Sequence, residues 1–196
     1  MLKLILASQS PRRKDLLTKA GFSFIGLPVH ISEIPDKNLN LDQQILKIAE
    51  DKAKACLDEH KYLKSQDYLI ISADTMVIVD GVPYGKPRDE TEAQTYLRLL
   101  SNRSHFVKTA IQLINCKNLD QIHEITTTEV FFRSLSDIEI QEYIKSGEPM
   151  DKAGAYGIQG LGGTFIERYD GPFDNVVGLS IESFKSLLKT KGWEIG

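Results

Sequence analysis

The segment from Ser8 to Arg13 in this chain of 196 residues combines the residue types that bind phosphate. Ser10 can cap a helix, and Pro11 suits its first position, where no amide donor is needed. Arg12 and Arg13 then lie in the first helical turn, where the helix dipole disfavours cations. The same place suits an anion, because free amides, hydroxyls and two guanidiniums converge there. Two interpretations stay open: a phosphate site, or capping serines beside solvated arginines.

Asp74 is the second candidate for chemistry. It follows an apolar run at residues 68–72, which we interpret as a buried strand that ends close to this carboxylate. A carboxylate at such a place is costly unless a cation or a metal ion partners it. Strand ends that face a cleft are also where general bases and metal-binding carboxylates lie. The alternative is an aspartate whose side chain only caps a turn or a helix.

Three further charged residues are candidates. Lys52 comes seven residues after Ile45 and four after Ile48, so it falls on the apolar side of its predicted helix. It either extends its ammonium to solvent or delivers that charge to a buried anion. Lys86 follows a predicted hairpin and could reach a phosphate from a loop. Glu33 is an acidic loop residue, and most such loop charges are solvated.

The segment 151–163 is rich in glycine and irregular. Glycine at this density lets the backbone approach a ligand closely or turn through positive φ. Gln159 offers a donor and an acceptor side by side, which suits the edge of a nucleotide base. A flexible loop without a ligand is the alternative. The four histidines show no ligand spacing, and Cys56 and Cys116 are expected to be reduced, buried thiols.

The elements that must position these residues alternate between strand and helix. We predict strands at residues 2–6, 68–72, 76–79, 106–115 and 121–133, with strand and loop at 22–35. We predict helices from Ser10 to Gly21, from Asn40 onward, at 91–100, from Ser136 to Gly147 and at 181–189. Asp80-Gly81 is typical of a hairpin turn. The predicted fold class is α/β: a mixed, twisted sheet flanked by helices, in a single domain over 1–196 with two lobes around a substrate cleft.

Composition excludes several classes of protein. The net charge of -3 and the pI of about 5.8 argue against a protein that binds nucleic-acid backbone. No apolar run approaches the roughly 18 residues of a membrane-spanning helix, and the apolar start is too short for a signal segment. We therefore expect no nucleic-acid partner, no membrane partner and a cytoplasmic location.

Together, these segments resemble the Maf family of nucleotide pyrophosphatases. The matching stretches are 6–17 (LASQSPRRKDLL), 72–77 (SADTMV), 85–89 (GKPRD), 99–109, 151–163 and 175–179 (NVVGL). They follow the family's order over nearly the whole chain. Asn102 departs from the family, which usually has glycine there, but asparagine also tolerates the left-handed region. Ser180 departs as well, because proline is usual at that position.

The resemblance implies a Maf/ITPase-like fold and hydrolysis of a nucleoside triphosphate to the monophosphate and pyrophosphate, with Mg²⁺ or Mn²⁺. Asp74 matches the family's proton acceptor. Substrate choice is expected to depend on Arg12, Thr75 and Gln159. Ser8, Arg13, Lys52 and Lys86 are expected to bind phosphate, Lys152 to belong to the same polar pocket, and Glu33 and Asp74 to hold the metal ion. The resemblance also implies a homodimer and links to septum inhibition and to the removal of modified nucleotides.

The form Ala-Tyr-Gly-Ile-Gln at 155–159 resembles the branch of the family that hydrolyses dTTP and UTP. Gln159 could hydrogen-bond the O4/N3 edge that uracil and thymine share. Attack on the α-phosphorus needs a deprotonated water, an in-line approach and charge relief on the leaving pyrophosphate. Two alternatives remain: a nucleotide-binding regulator of septum formation with weak hydrolysis, and a purine-directed pyrophosphatase.

Overall fold

The computed structural model describes residues 1–196 and contains seven strands and six α-helices. The strands are β1 (Lys3–Leu6), β2 (Phe24–Gly26), β3 (Tyr68–Val79), β4 (Val82–Tyr84), β5 (Ser104–Asn115), β6 (Gln121–Phe132) and β7 (Ile166–Asp170). The helices are α1 (Pro11–Lys19), α2 (Leu41–Glu59), α3 (Glu90–Leu100), α4 (Asp137–Lys145), α5 (Phe173–Val177) and α6 (Ile181–Lys191). Four short 3₁₀ segments add to these: Lys61–Leu63, Glu148–Asp151, Ala153–Ala155 and Leu161–Phe165.

All seven strands belong to one sheet, which confirms the predicted α/β class. Their order is β2-β1-β3-β5-β6-β7, and β4 pairs with β3. The sheet is mixed, because β1 runs parallel to β2 and β3, whereas the β3–β4 and β6–β7 pairs are antiparallel. None of the helices combines the length and the apolar composition that a membrane-spanning segment needs. The chain divides into two compact units, and the predicted cleft and single domain stay predictions.

The first unit comprises Met1–Asp74, Thr109–Thr126 and Gly178–Gly196. Its parallel strands β1 and β3 carry apolar residues on both faces. Ile5 and Ile70 pack with residues of α2, whereas Leu4 and Leu69 belong to a cluster that includes residues of α1 and α6. Helices that cover both faces explain why the run at 68–72 is apolar without alternation.

Local side-chain chemistry sets where the helices of the first unit begin and end. Ser10 caps α1 and Pro11 is its first residue, as the sequence predicted. Asn40 starts α2 with a complete capping box to Gln43. Ser180, which departs from the family's usual proline, accepts a hydrogen bond from the Ser183 amide and so caps α6. The departure therefore supplies a helix cap.

The second unit comprises Thr75–Lys108 and Thr127–Val177. Its core joins the inner residues of β3, β5 and β6 to α3 and α4. Asp80 and Gly81 both have positive φ, 50° and 76°, and they close the predicted two-residue hairpin between β3 and β4. Asn102 has a φ of 57° and so occupies the left-handed region, which asparagine tolerates as glycine does. Ser136 and Glu139 form the predicted capping box of α4.

One prediction about the strands was wrong. The runs at 68–72 and 76–79 are a single strand, β3, and Asp74 lies in its middle rather than at its end. The polar Ser-Ala-Asp-Thr segment suggested a break, but β3 continues because buried partners compensate its polar side chains. Strand β7 and helix α5 were not predicted. Strand β7 is mostly exposed and α5 has five residues, so neither shows a period.

Candidate functional site

Ser8 and Arg13 lie just beyond the end of β1 in the first unit. Parallel pairing of Leu6 with Ile71 carries the chain after β1 towards the level of Asp74. Both side chains are buried, and an Nη of Arg13 donates to Ser8 Oγ at 3.3 Å. Arg13 Nε donates to the Gly178 carbonyl at 2.8 Å. The guanidinium is therefore held by fixed partners, which pre-organises a positive charge at the start of α1.

Lys52 bridges two carboxylates. Its ammonium lies 2.7 Å from Asp74 Oδ1 and 2.7 Å from Glu33 Oε1. The Lys52 side chain is only 9% exposed and that of Asp74 is 14% exposed, whereas that of Glu33 is 49% exposed. Buried Ser72 donates to the Ala49 carbonyl at 2.6 Å, which fastens β3 to α2 one turn before Lys52. Of the two interpretations of Lys52, the structure supports the ammonium that meets a buried anion.

Burial and charge act against each other in this cluster. Burial raises the pKa of Asp74, and the cations of Lys52 and Arg13 offset part of that rise. Burial also lowers the pKa of Arg13, against the attraction of Asp74 and Glu33. A carboxylate whose pKa is shifted upward is closer to the range in which a general base works near neutral pH. The arrangement therefore suits proton abstraction at Asp74.

The donor set fits a divalent cation only if a ligand completes it. No group of three or more His, Cys, Asp or Glu that could hold a metal ion occurs in the structure. Glu33 and Asp74 supply two carboxylates on either side of the Lys52 ammonium. Mg²⁺ is commonly held by one or two carboxylates with substrate phosphates and waters. These two residues fit that arrangement and not an all-protein metal cage.

The other predicted site residues occupy several places. Arg12 is half-buried in the first turn of α1, and Thr75 follows Asp74 in β3. Lys86 is exposed after β4, and Gln159 is exposed in a turn of the second unit. The structure thus brings Ser8, Arg13, Glu33, Lys52 and Asp74 together in the first unit, whereas Thr75, Lys86, Lys152 and Gln159 belong to the second.

Within the second unit, the segment with Lys86 is joined to the glycine-rich segment. The Gly154 amide donates to the Gly85 carbonyl at 3.0 Å. Gly154 has a φ of 68°, and a Cβ there would lie 2.8 Å from a methyl group of Val77, so only glycine fits. Lys152 Nζ donates to Asp151 Oδ1 at 2.6 Å. The glycine-rich segment is therefore closely packed at this point.

Sequence reasoning gave neither Glu148 nor Tyr143 a role at the site. Glu148 accepts hydrogen bonds from the backbone amides of Leu161 and Gly162 and from the Tyr143 hydroxyl. His105 was also missed: it is buried, and its Nε2 lies 2.7 Å from the Tyr156 hydroxyl. The only signal for Glu148 was an acidic residue just before a glycine-rich segment, where exposed amides need acceptors.

Comparison with known proteins matches these residues to one family. The profile of the family described as Maf-like protein matches residues 3–191. A dTTP/UTP pyrophosphatase of Bdellovibrio bacteriovorus is 55% identical over 185 residues, covering 94% of this chain and 96% of that protein. A dTTP/UTP pyrophosphatase of Desulfitobacterium hafniense is 43% identical over 194 residues, covering 98% and 87%.

A solved nucleoside-triphosphatase / dITP/XTP pyrophosphatase from Mycobacterium abscessus aligns with 97% of this chain and 94% of its own, at 13% identity and a TM-score of 0.42. A likeness of that size bears on neither fold nor function. The family profile, in contrast, spans every candidate residue from Ser8 to Gln159. The resemblance of the motifs is thereby confirmed, and the chain belongs to the Maf family.

Proposed function

We propose that this chain is a nucleoside triphosphate pyrophosphatase that hydrolyses dTTP and UTP to the monophosphate and pyrophosphate. The observation that carries the proposal is the Lys52 ammonium held between Asp74 and Glu33 in the unit that also holds buried Arg13 and Ser8. The printed names of the two relatives, 55% and 43% identical, support the same activity and substrate class.

In the proposed reaction, Asp74 is the general base that accepts the proton of the attacking water. A water oxygen attacks the α-phosphorus, its proton passes to Asp74, and the bond from the α-phosphorus to the bridging oxygen breaks as pyrophosphate leaves. Arg12, Arg13, Lys52 and Lys86 supply positive charge for the phosphates, and Ser8 orients Arg13. A bound Mg²⁺ or Mn²⁺, held by Glu33 and Asp74, would neutralise phosphate charge.

Asp74→Asn tests this assignment, because the amide keeps the size of the side chain but cannot accept the proton. We expect pyrophosphate release from UTP, assayed with millimolar Mg²⁺ or Mn²⁺, to fall by about 10²-fold or more. Wild-type protein that releases no more pyrophosphate than Asp74→Asn would leave a nucleotide-binding regulator of septum formation as the better reading. An EDTA-treated sample with Mg²⁺ or Mn²⁺ added back tests the metal requirement.

Gln159 would select the pyrimidine base. Its exposed amide can donate to O4 and accept from N3–H, an edge that uracil and thymine share, so the 5-methyl group makes no difference. Gln159→Glu should weaken UTP turnover much more than GTP turnover. Equal losses on both substrates would contradict base reading by Gln159, and a triphosphate panel that favoured purines would replace the pyrimidine assignment.

The remaining parts of the proposal are a homodimer and a cytoplasmic location. The homodimer rests on the resemblance to the family, and light scattering of the purified chain tests it. The location is in line with two buried free thiols at Cys56 and Cys116, which a reducing compartment keeps unpaired. Fractionation of cells that express the protein tests the location.

A further inference from the structure

One hydrogen-bonded pair fastens both sides of the turn that carries Gln159. On the leading side, the Gly157 amide donates to the Tyr143 hydroxyl at 3.3 Å. On the trailing side, the Leu161 amide donates to Glu148 Oε2 at 2.9 Å, and the Gly162 amide to Oε1 at 3.2 Å. The Tyr143 hydroxyl itself donates to Glu148 Oε1 at 3.0 Å, so both sides meet at one carboxylate.

The spacing of these contacts places Gln159 at the centre of a short span between two fixed positions. Only residues 158–160 lie between the fastened positions Gly157 and Leu161, and Gln159 is the central one. The turn closes further through the Gly160 amide, which donates to the Gly157 carbonyl at 3.4 Å. Because both ends of this three-residue span are fixed, its backbone has little conformational freedom left to lose when the Gln159 side chain binds a ligand.

The glycines around Gln159 pack closely against this pair. A Cβ at Gly162 would lie 2.7 Å from the Tyr143 hydroxyl oxygen, and a Cβ at Gly160 would overlap the Glu148 carboxylate. A Cβ at Gly157 would lie 2.6 Å from the Lys152 side chain. A Cβ at Gly157 or Gly160 would displace the end of a side chain, whereas a Cβ at Gly162 would also lie 3.0 Å from backbone atoms of Gly157, so Gly162 has to be glycine. This contradicts a flexible loop as the reason for the glycine-rich composition.

The carboxylate lies where it stabilises this conformation most. Leu161 and Gly162 are the first residues of a 3₁₀ segment, whose unpaired amides need acceptors. Lys152 Nζ donates to the Glu148 carbonyl at 2.8 Å, which holds the backbone of Glu148 as well. Tyr143 packs edge-on against Phe165 at the end of the same 3₁₀ segment, with ring centroids 4.9 Å apart. Each support is thus itself held in place.

We propose that Glu148 and Tyr143 are positioning residues for base selection, which hold the Ile158–Gln159–Gly160 turn in the conformation that reads a pyrimidine. The proposal rests on the proposed function, because Gln159 must contact the base for its position to matter. Neither Glu148 nor Tyr143 touches substrate in this scheme. Both act through Gln159. They therefore affect how well UTP is preferred over GTP and not the hydrolytic step itself.

Glu148→Gln and Tyr143→Phe test the proposal. The glutamine keeps the shape of Glu148, but its side-chain NH₂ must face one of the backbone N–H groups, so one hydrogen bond is lost. The phenylalanine keeps the ring of Tyr143 and removes the hydroxyl. The measured quantity is the ratio of kcat/KM for UTP to that for GTP. We expect each variant to lower this ratio by about tenfold, which corresponds to about 1.4 kcal/mol, mainly through KM for UTP.

Glu139→Gln is the matched control. Glu139 also accepts a backbone hydrogen bond, from the Ser136 amide at 2.9 Å, and it pairs with Arg133 at 2.7 Å. It supports the start of α4 and, through Arg133, the Thr164 carbonyl at the far end of the 3₁₀ segment, but it makes no contact with the turn. Its variant should lose stability and keep the substrate ratio. An unchanged ratio in folded Glu148→Gln or Tyr143→Phe, or an equal fall in Glu139→Gln, would overturn the proposal.

A second measurement separates this proposal from the proposed function. In a Gln159→Ala background, Glu148→Gln should not change the substrate ratio further, and an additional fall would show that Glu148 acts elsewhere. Hydrogen exchange of the amides of residues 157–162, without nucleotide, should quicken in Glu148→Gln. If the wild-type chain hydrolyses neither UTP nor dTTP, the proposed function fails. If it hydrolyses them but the ratio and the amide exchange stay unchanged in Glu148→Gln, only the positioning role fails.

Discussion

Removal of the Lys52 ammonium tests the central electrostatic argument. Lys52→Met keeps most of the apolar stem and leaves Asp74, whose side chain is 14% exposed, without its 2.7 Å partner. Removing one partner of a buried ion pair costs about 3–5 kcal/mol. We expect the lower end, about 3 kcal/mol, because Arg13 still attracts Asp74 and because half-exposed Glu33 is hydrated.

The same helix offers a matched control. Lys47 pairs with Asp51 at 2.9 Å, but their side chains are 52% and 41% exposed. Exposed pairs contribute little to stability because water screens their charges, so Lys47→Met should be nearly neutral. The two variants remove the same group from the same helix, and they differ in burial. The contrast therefore isolates the cost of an uncompensated buried charge from any effect on helix propensity.

Urea unfolding followed by fluorescence of Trp193, the single tryptophan, reports on the first unit. With a slope of about 2 kcal/mol per molar urea, Lys52→Met should lower the midpoint by about 1.5 M, whereas Lys47→Met should leave it nearly unchanged. The double variant Lys52→Met/Asp74→Asn should recover much of the loss, since the Asp74 charge that Lys52 compensates is then absent and Glu33 still attracts buried Arg13. Equal midpoints for the two lysine variants, or no recovery in the double variant, would refute the argument.

Two further predictions concern the second unit. Burial lowers the pKa of His105 to about 3, whereas an unfolded histidine titrates near 6.5. The unfolded chain therefore binds the extra proton, and the histidine should cost about 2 kcal/mol of stability between pH 7 and pH 5. Urea midpoints of wild type and His105→Phe at both pH values measure this loss, which the variant should lack. Gly154→Ala should destabilise by about 2–4 kcal/mol, because φ is +68° and the new Cβ would lie 2.8 Å from a Val77 methyl group. Gly81→Ala, with a φ of +76° and no atom within 4 Å, should cost only about 1 kcal/mol, and similar midpoints for the two variants would contradict the packing argument.

Features with local causes could be predicted from the sequence. Ser10, Asn40 and Ser136 cap helices through contacts that span three residues, so a short segment contains both partners. The place of Lys52 on the apolar side of α2 followed from its helical phase relative to Ile48, and that side packs against the sheet. In both cases the information lies within one element.

Features with distant causes could not be predicted in the same way. Asp74 was placed at a strand end because the cation that compensates it comes from a residue 22 positions away. The backbone amides that donate hydrogen bonds to Glu148 lie 13 and 14 positions further along the chain. Strand β7 pairs with β6 across the sheet, and its own residues are mostly exposed. Each of these contacts exists only once the chain has folded.

The surroundings of the two carboxylates decide their different roles. Glu148 accepts hydrogen bonds from two backbone amides and a tyrosine hydroxyl. Asp74 has the Lys52 ammonium on one oxygen, on a strand that continues on both sides of it, and burial raises its pKa. A carboxylate whose donors are backbone amides holds that backbone in place, whereas one whose partner is a lysine side chain can also bind a water or a phosphate-bound ion in the reaction that we propose. The same functional group thus supports the turn in one unit and, in the function we propose, takes the proton in the other.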